Sequence, residues 1–432
     1  MFAVEMAITS KEIENEAMQR IRSLLDGRPN PDADEVYSLI GEILRQLRQE
    51  HPNVPGQSYS DIWRKMWIKL NPKGPLVEYL DDESIEEIRF NGPSICYIVQ
   101  DGKRLRIDSP IQNEKELWEL IEFYLGDAGG RLDRASPMVT ATLSDGSRMH
   151  AVLSPPARPM SVTIRKHLTN RFTSLSDIVA VGSLHPSLIP FLQASVRARA
   201  NMLIAGGTSC GKTTFIRLLA KAIPRQERVV TIEDQAELQL WKFLDDCISL
   251  ECRNSNTEGR GEINIRMLVH EALRMSPDRI IIGEVRGPEA LDLLDAWNTG
   301  HPGSFCTIHS DNPRDTIPRL LRLVMRGLTT SHMEIIMDEL SRSLDIVIHL
   351  GVMRIGSQRR RILTSIGVVT GMEAGKIVVE ELVKYDWEAQ KWKLGQAFLE
   401  AMPLRLISKF NNAGEDLKAI FAELKDGLRD AG

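Results

Sequence analysis

The run Gly206-Gly207-Thr208-Ser209-Cys210-Gly211-Lys212-Thr213 fits the pattern G-x-x-x-x-G-K-[ST] at every fixed position. The apolar stretch Met202-Leu203-Ile204-Ala205 precedes it, and a run of helical character from Thr214 to Ala222 follows. Few sequence features restrict a fold so strongly. A loop that wraps phosphate with its own N–H groups needs glycine where the backbone turns sharply or approaches an anion. It must also leave a strand and enter a helix, so that the helix N-terminus adds its dipole. The chain is therefore expected to carry an α/β sheet with a phosphate loop. Gly206, Gly207, Thr208, Ser209, Cys210, Gly211, Lys212, Thr213 and Thr214 are the residues expected to bind a nucleoside triphosphate. Lys212 brings a point charge to the β/γ-phosphates, and the Thr213 hydroxyl helps to hold Mg²⁺.

Such a loop specifies nucleotide binding only. Hydrolysis needs an acid, and two acidic clusters end apolar runs: Ile232-Glu233-Asp234-Gln235-Ala236-Glu237 and Ile281-Ile282-Gly283-Glu284-Val285-Arg286. Acids at the carboxyl ends of parallel strands stand where ligands bind in open α/β sheets. Glu284 fits the residue that orients or deprotonates water. The aspartate usual before it is replaced by Gly283, so metal duty is shared with Glu233, Asp234 or Glu237. Two histidines, His301 and His309, bracket the run Pro302 to Ile308, an arrangement that suggests a γ-phosphate sensor or an intersubunit relay. A zinc site from these and Cys306 lacks a fourth ligand.

The other segments surround this engine. At ~100–200 residues per domain, 432 residues make about two to four domains. Residues 1–60 read as an N-terminal helical region: a Thr9/Glu12 capping box opens one helix, and Val36, Leu39, Ile40, Ile43, Leu44 and Leu47 mark a second. His51 to Ser60 reads as a linker. Residues 61–167 form an α+β domain, with strands in SIEEIRFNG, ICYIVQDGKRLRI and VTATLSDGSRMHAVLS turning at Asn91-Gly92, Asp101-Gly102 and Asp145-Gly146. KELWELIEFYLGDAGG reads as a helix ending at a glycine pair. Residues 168–183 connect it to an ATPase domain at 184–386. There NMLIAGG, RVVTIED, CISLEC, RIIIGEV, GSFCTIH and LDIVIHL read as buried strands. Residues 387–432 form a helical tail whose apolar positions, Phe398, Leu399, Met402 and Leu406, suit packing better than a partner.

Composition narrows the function further. A net charge of −5 disfavours a dedicated nucleic-acid binder. No apolar run reaches the ~18–20 residues of a membrane-spanning helix, and no signal peptide is expected. Five cysteines without a CxxC pair suit a reduced cytoplasmic protein. Cys210, inside the phosphate loop, is expected to make the site sensitive to thiol oxidation or alkylation.

In this order, NMLIAGGTSCGKTT, ERVVTIEDQAELQL, NIRMLVHEALRMSPDRIIIGEVRGPEALDLLDAWNTG and TIHSDNPRD resemble the type II/type IV secretion ATPases. The style is most similar to the CpaF/TadA branch, which drives tight-adherence pili. GPLVEYLDDESIEEIRFNGP and SPMVTATLSDGSRMHAVLSP, upstream, match in style. The resemblance implies a RecA-like P-loop ATPase domain preceded by an α+β N-terminal domain and N-terminal helices. It implies Mg²⁺-dependent ATP hydrolysis by a homohexameric ring, peripheral at the cytoplasmic face of the inner membrane through platform partners. Glu233, Asp234 and Glu237 match its aspartate box, Glu284 its Walker-B glutamate, and His301 and His309 its histidine box. Arg148 and Arg165 match arginines that the family sends to the nucleotide from the N-terminal domain. A guanidinium on a second domain makes hydrolysis depend on domain closure, an effect worth ~10³–10⁵ in rate. Arg286 is a further active-site or intersubunit candidate. Three other readings stand beside the pilus motor: a conjugation-type type IV secretion ATPase, a nucleotide-gated scaffold with negligible turnover, and a DNA translocase.

Overall fold

The computed structural model describes residues 9–25, 33–70, 76–128, 131–143, 145–167, 171–253, 255, 260–328, 333–355, 358–395 and 402–430. The chain divides into two compact units, Met1–Leu168 and Thr169–Gly432. Part of the expected turn at 27–34, the glycine pair at 129–130, the start of the connector at 168 and the tail positions Phe398 and Leu399 lie outside the described residues.

The first unit opens with three helices, α1 (Ser10–Leu25), α2 (Ala33–Glu50) and α3 (Gly56–Leu70). The capping box forms as read: Thr9 N–H donates to the Glu12 carboxylate at 2.7 Å and Glu12 N–H donates to Thr9 Oγ1 at 3.3 Å. Ile13, Ala17, Ile21, Val36, Ile40, Leu47, Tyr59, Ile62 and Met66 fill the centre of this bundle. The stretch read as a linker from His51 to Ser60 therefore contains the start of a third helix. Its Pro52, Pro55 and Gly56 mark a helix start, with Ser58 N–H donating to Pro55 O at 3.0 Å.

A short helix α4 (Val77–Asp81) leads into an antiparallel sheet and the helix α5 (Glu114–Ala128). The strands are β1 (Ile85–Asn91), β2 (Cys96–Gln100), β3 (Lys103–Ile107), β4 (Met138–Thr142), β5 (Arg148–Val152) and β6 (Ser161–Arg165), in the order β3-β2-β1-β6-β5-β4. The β2–β3 hairpin turns at Asp101 and Gly102, both with positive φ (49° and 74°), the left-handed geometry that an Asp-Gly pair tolerates. Leu117, Leu120 and Ile121 of α5 pack on Ile88, Phe90, Met149, Val162 and Ile164.

The second unit is built on nine strands: β7 (Met202–Gly206), β8 (Val229–Glu233), β9 (Cys247–Glu251), β10 (Arg279–Val285), β11 (Phe305–His309), β12 (Ile346–Ile355), β13 (Gln358–Glu373), β14 (Lys376–Asp386) and β15 (Lys391–Leu394). Their order is β15-β14-β13-β12-β7-β11-β10-β8-β9. The pairs from β12 to β9 are parallel, and β12 to β15 run antiparallel. All six runs read as buried strands are strands, and β7 is buried at every residue. Alternation splits the core between two faces. Met202 and Ile204 face one apolar layer, Leu203 and Ala205 the other.

The helices α6 (Leu175–Ala180), α7 (Leu188–Arg197), α8 (Lys212–Ala220), α9 (Ile265–Ala272), α10 (Glu289–Asn298), α11 (Thr316–Gly327), α12 (Met333–Ser343), α13 (Leu404–Asn412) and α14 (Leu417–Asp430) cover these faces. Residues of the expected connector and of the expected tail join this core. Leu175 and Ile178, in the expected connector, and Met402, Leu406, Phe410, Phe421 and Leu424, in the expected tail, share one core with Met202 and Phe215. Strand β15 also lies beyond residue 386. A basic pair of α13 secures this packing: Arg405 and Lys409 both pair with Asp345, which is fully buried.

Candidate active site

The carboxyl ends of β7, β8, β10 and β11 meet at one edge of the parallel sheet. β7 runs into the phosphate loop and α8. Gly211 caps α8 with φ +97°, open to glycine without strain. Gly206 is required by close approach, since a Cβ there would stand 2.5 Å from Cys210 Sγ and from Leu350 O. Lys212 Nζ lies over its own loop and donates to Gly206 O at 2.9 Å and Gly207 O at 3.0 Å. Thr213 Oγ1 reaches Glu237 Oε2 at 3.5 Å. Thr214 stands on the first turn of α8.

The acids divide into two groups. Glu233 ends β8 with 3% of its surface exposed, and its carboxylate accepts the N–H groups of Glu237 (3.2 Å) and Leu238 (3.0 Å). Burial, partly offset by these N–H donors, pushes its pKa up to about 8, so the Glu233 carboxyl is mainly protonated at neutral pH. Glu284, near the end of β10, and Asp234 are joined through Arg286, whose Nη2 pairs with Glu284 Oε2 at 2.7 Å and whose Nη1 pairs with Asp234 Oδ2 at 2.6 Å. The aspartate-box residue beside Thr213 is thus Glu237, whereas Asp234, read as a metal ligand, is held by Arg286.

The histidines separate. His309 ends β11 in register with Gly206 of the phosphate loop and lies 3.5 Å from Asp311. His301 precedes β11 at the opposite edge of the sheet, where its carbonyl accepts from Ser304 Oγ at 2.8 Å. Eight residues of strand and turn at ~3.3 Å each keep it from its own phosphate loop. His301 thus stands near the start of β11, at the end of the sheet away from its own phosphate loop. Cys210 is 3% exposed in the apolar core, and burial raises its thiol pKa. A buried, protonated thiol is a poor nucleophile, which corrects the expectation of a thiol-sensitive site.

In the first unit, Arg148 and Arg165 pair directly across β5 and β6, flanked in register by Thr142 and Glu87. Residues directly opposite in an antiparallel pair share a face, and like charges there repel unless an anion or acid compensates. Both side chains are exposed.

Three residues were not legible as site components. Glu289, 6% exposed, accepts the N–H groups of Arg286 (2.6 Å) and Gly287 (2.7 Å) and so shapes the turn that aims Arg286. Its capping-type position three residues after Arg286 was the available signal. His349 on β12 is 4% exposed; its Nε2 donates to Ser310 O at 3.1 Å and its Nδ1 meets Thr364 Oγ1 at 2.6 Å. Arg361 on β13 donates from Nε to Ser209 O at 3.0 Å. Neither of the last two carries a sequence signal, because strand pairing alone brings them to the loop.

The six parallel strands follow the order β12-β7-β11-β10-β8-β9, with the phosphate loop after β7 and acids at the ends of β8 and β10. Together these define a RecA-like P-loop nucleoside triphosphatase. Residues 69–394 match the family model described as type II/IV secretion system protein, and the chain belongs to this family of ATPases. A putative conjugal transfer protein of Mycobacterium tuberculosis is 33% identical over 304 residues, 68% of this chain and 85% of that protein. VirB11 of Agrobacterium fabrum is 31% identical over 308 residues, 63% of this chain and 87% of that protein. Among solved structures, the VirB11 ATPase of the Brucella suis type IV secretion system, in complex with sulphate, is 28% identical with a TM-score of 0.36, covering 66% of this chain and 90% of that one. These relatives are conjugal-transfer and VirB11 proteins, and they do not carry the narrower resemblance to the CpaF/TadA branch. Among the described residues, no helix is long and apolar enough to cross a membrane.

Proposed function

We propose that this ATPase is the motor of a conjugation-type type IV secretion machine. It acts as a homohexameric ring at the cytoplasmic face of the inner membrane, held there by platform proteins. The similarity to conjugal-transfer proteins over most of their length supports the machine class. The convergence of Lys212, Thr213, Glu233, Glu237 and Glu284 at one sheet edge is the observation that carries the motor.

Nucleotide phosphates take the place of the Gly206 and Gly207 carbonyls as partners of Lys212 Nζ. The donor set suits a hard divalent cation such as Mg²⁺: Thr213 Oγ1, the Glu237 carboxylate and, once free, Glu284. Among the described residues no group of three His, Cys, Asp or Glu side chains is placed to hold a metal ion. Such a cation, when bound, would supply charge neutralisation at the phosphates. Glu284 Oε2 accepts the proton of the attacking water after its ion pair with Arg286 opens. The protonated Glu233 carboxyl keeps the 237–238 backbone in place without adding negative charge beside the phosphates. His309 serves as the phosphate-proximal histidine, while His301 acts across a subunit boundary. Arg148 and Arg165 carry the charge that the family resemblance assigns to the γ-phosphate during hydrolysis.

Turnover and binding measured together test the motor. Lys212→Ala abolishes both binding and hydrolysis. Glu284→Gln keeps nucleotide binding and loses ~10²–10⁴-fold in turnover. Wild-type-like turnover in either variant overturns the mechanism, and negligible turnover in the wild type favours a nucleotide-gated scaffold. Deletion of the gene distinguishes the machine. Loss of conjugal transfer or secretion supports this reading, and loss of tight-adherence pili alone replaces it with the pilus motor. Failure of DNA to stimulate hydrolysis at moderate salt excludes a DNA translocase.

A further inference from the structure

We propose that the adjacent arginines Arg360 and Arg361 form the mechanical link between the segment by which the chain enters the second unit and the phosphate loop. Arg361 is a positioning residue for that loop. The link rests on the nucleotide-site reading above.

The loop side comes first. Ser209 has φ +61°, a left-handed conformation uncommon for a residue with a Cβ. Arg361 Nε donates to the carbonyl of that same residue at 3.0 Å. Its Cδ also lies 3.5 Å from the place a Cβ on Gly211 would occupy. One guanidinium thus holds the strained peptide just before Gly211 and Lys212. A charge-assisted hydrogen bond is of the strength needed to keep it there.

The entry side is held from the next residue. Successive side chains on a strand point to opposite faces, so Arg360 reaches away from the loop. Its Nη2 donates to Gly182 O at 2.7 Å. Gly182 has φ +67°, and a Cβ there would lie only 1.8 Å from that Nη2, so the contact requires glycine. The strand backbone adds a tie, Leu363 N–H to Ser183 O at 2.9 Å. The helix after the phosphate loop contributes another, since Arg217 Nη2 donates to Phe172 O at 3.2 Å. The entry segment and the loop are therefore fastened to one strand, one residue apart. A residue of strand spans only ~3.3 Å and has little slack. Displacement of either side is carried to the other. In a motor this couples the segment that follows the first unit to the state of the nucleotide.

Amide hydrogen exchange of the full chain, with and without a saturating non-hydrolysable ATP analogue, tests the link. In the wild type the analogue slows exchange at residues 206–214 and also at residues 175–185. In Arg360→Gln and Gly182→Ala, protection of the loop stays within about twofold, while analogue-dependent protection of the entry segment falls by ~tenfold or more. Gly182→Ala leaves both arginines in the chain and so reaches the contact by a second route. Arg361→Gln loses the coupled protection and binds the analogue ~tenfold more weakly, and Arg361→Lys recovers part of that affinity. Coupled protection that persists in Arg360→Gln and Arg361→Gln, or that is absent in the wild type although the analogue binds, overturns the link alone. Failure of the wild type to bind the analogue, measured separately by titration, overturns the nucleotide-site reading.

Discussion

Gly283 and Glu233 share one space: a Cβ on Gly283 would stand 2.9 Å from Glu233 Cγ and 3.3 Å from its Oε1. The neighbouring parallel strands β10 and β8 bring these two residues together. This contact explains the glycine before Glu284, where an aspartate is usual. An acid at 283 would collide with Glu233. Gly283→Ala is expected to destabilise the protein by ~1–3 kcal/mol through overpacking and to lower turnover by displacing Glu233. Thermal melts and steady-state hydrolysis check both. The stability loss shrinks in a Glu233→Ala background, and full additivity of the two changes would show that the contact is not the cause.

The Glu233 carboxyl makes stability depend on pH. Its folded pKa of about 8 lies above the ordinary 4.5, so the folded state holds a proton that the unfolded state has released. Stability therefore falls as pH rises from about 4.5 to about 8 and levels off above that. Glu233→Gln, which cannot ionise, is expected to flatten this slope by an amount on the order of a few kcal/mol. Urea unfolding at pH 6 and pH 8.5 measures it. An equal slope in both proteins would contradict protonation of Glu233.

Glu289 aims Arg286 through two N–H groups. Glu289→Ala leaves those donors unpaired, which costs ~1–3 kcal/mol. Turnover is expected to fall while the KM for ATP stays within about twofold, because the phosphate loop is untouched. A change confined to KM would place Glu289 at binding instead.

Cys210 is expected to resist alkylation. In the native protein, iodoacetamide at pH 7.5 labels it far more slowly than in the urea-unfolded chain, and hydrolysis persists during that treatment. Mass spectrometry of the tryptic peptide follows the reaction. Rapid native labelling with matching loss of activity would restore the thiol-sensitive reading.

The last two helices belong to the fold of the second unit. Lys409→Met takes one cation from the fully buried Asp345, and breaking such a pair costs ~3 kcal/mol. The double change Lys409→Met with Asp345→Asn recovers part of that loss. Urea midpoints give both values, and an unchanged midpoint for the single variant would argue that the helices dock loosely.

Local patterns were legible from the residues alone. The phosphate loop, the Thr9/Glu12 box, the Asp101-Gly102 hairpin and the six apolar strands each depend on neighbours within a few positions. Strand β6 escaped notice because its Ser161–Arg165 run is short and ends in charge. The long β13–β14 hairpin is not legible because glycines and arginines interrupt the alternation of β13. The start of α3 was hidden behind two prolines that precede a helix instead of breaking one.

Sequence by itself determined that this chain binds a nucleotide on a parallel α/β sheet and belongs with the secretion ATPases, because glycine spacing and buried apolar runs are local chemistry. Only the tertiary structure decided that Glu237 rather than Asp234 meets Thr213. It also decided that His309 reaches the loop edge while His301 lies at the far end, and that Arg361 grips Ser209. Those meetings depend on strand order and register, which join residues far apart in the chain. The positions of β8, β11 and β13 around β7 are set by burial of both sheet faces across the whole unit, not by any short stretch of residues.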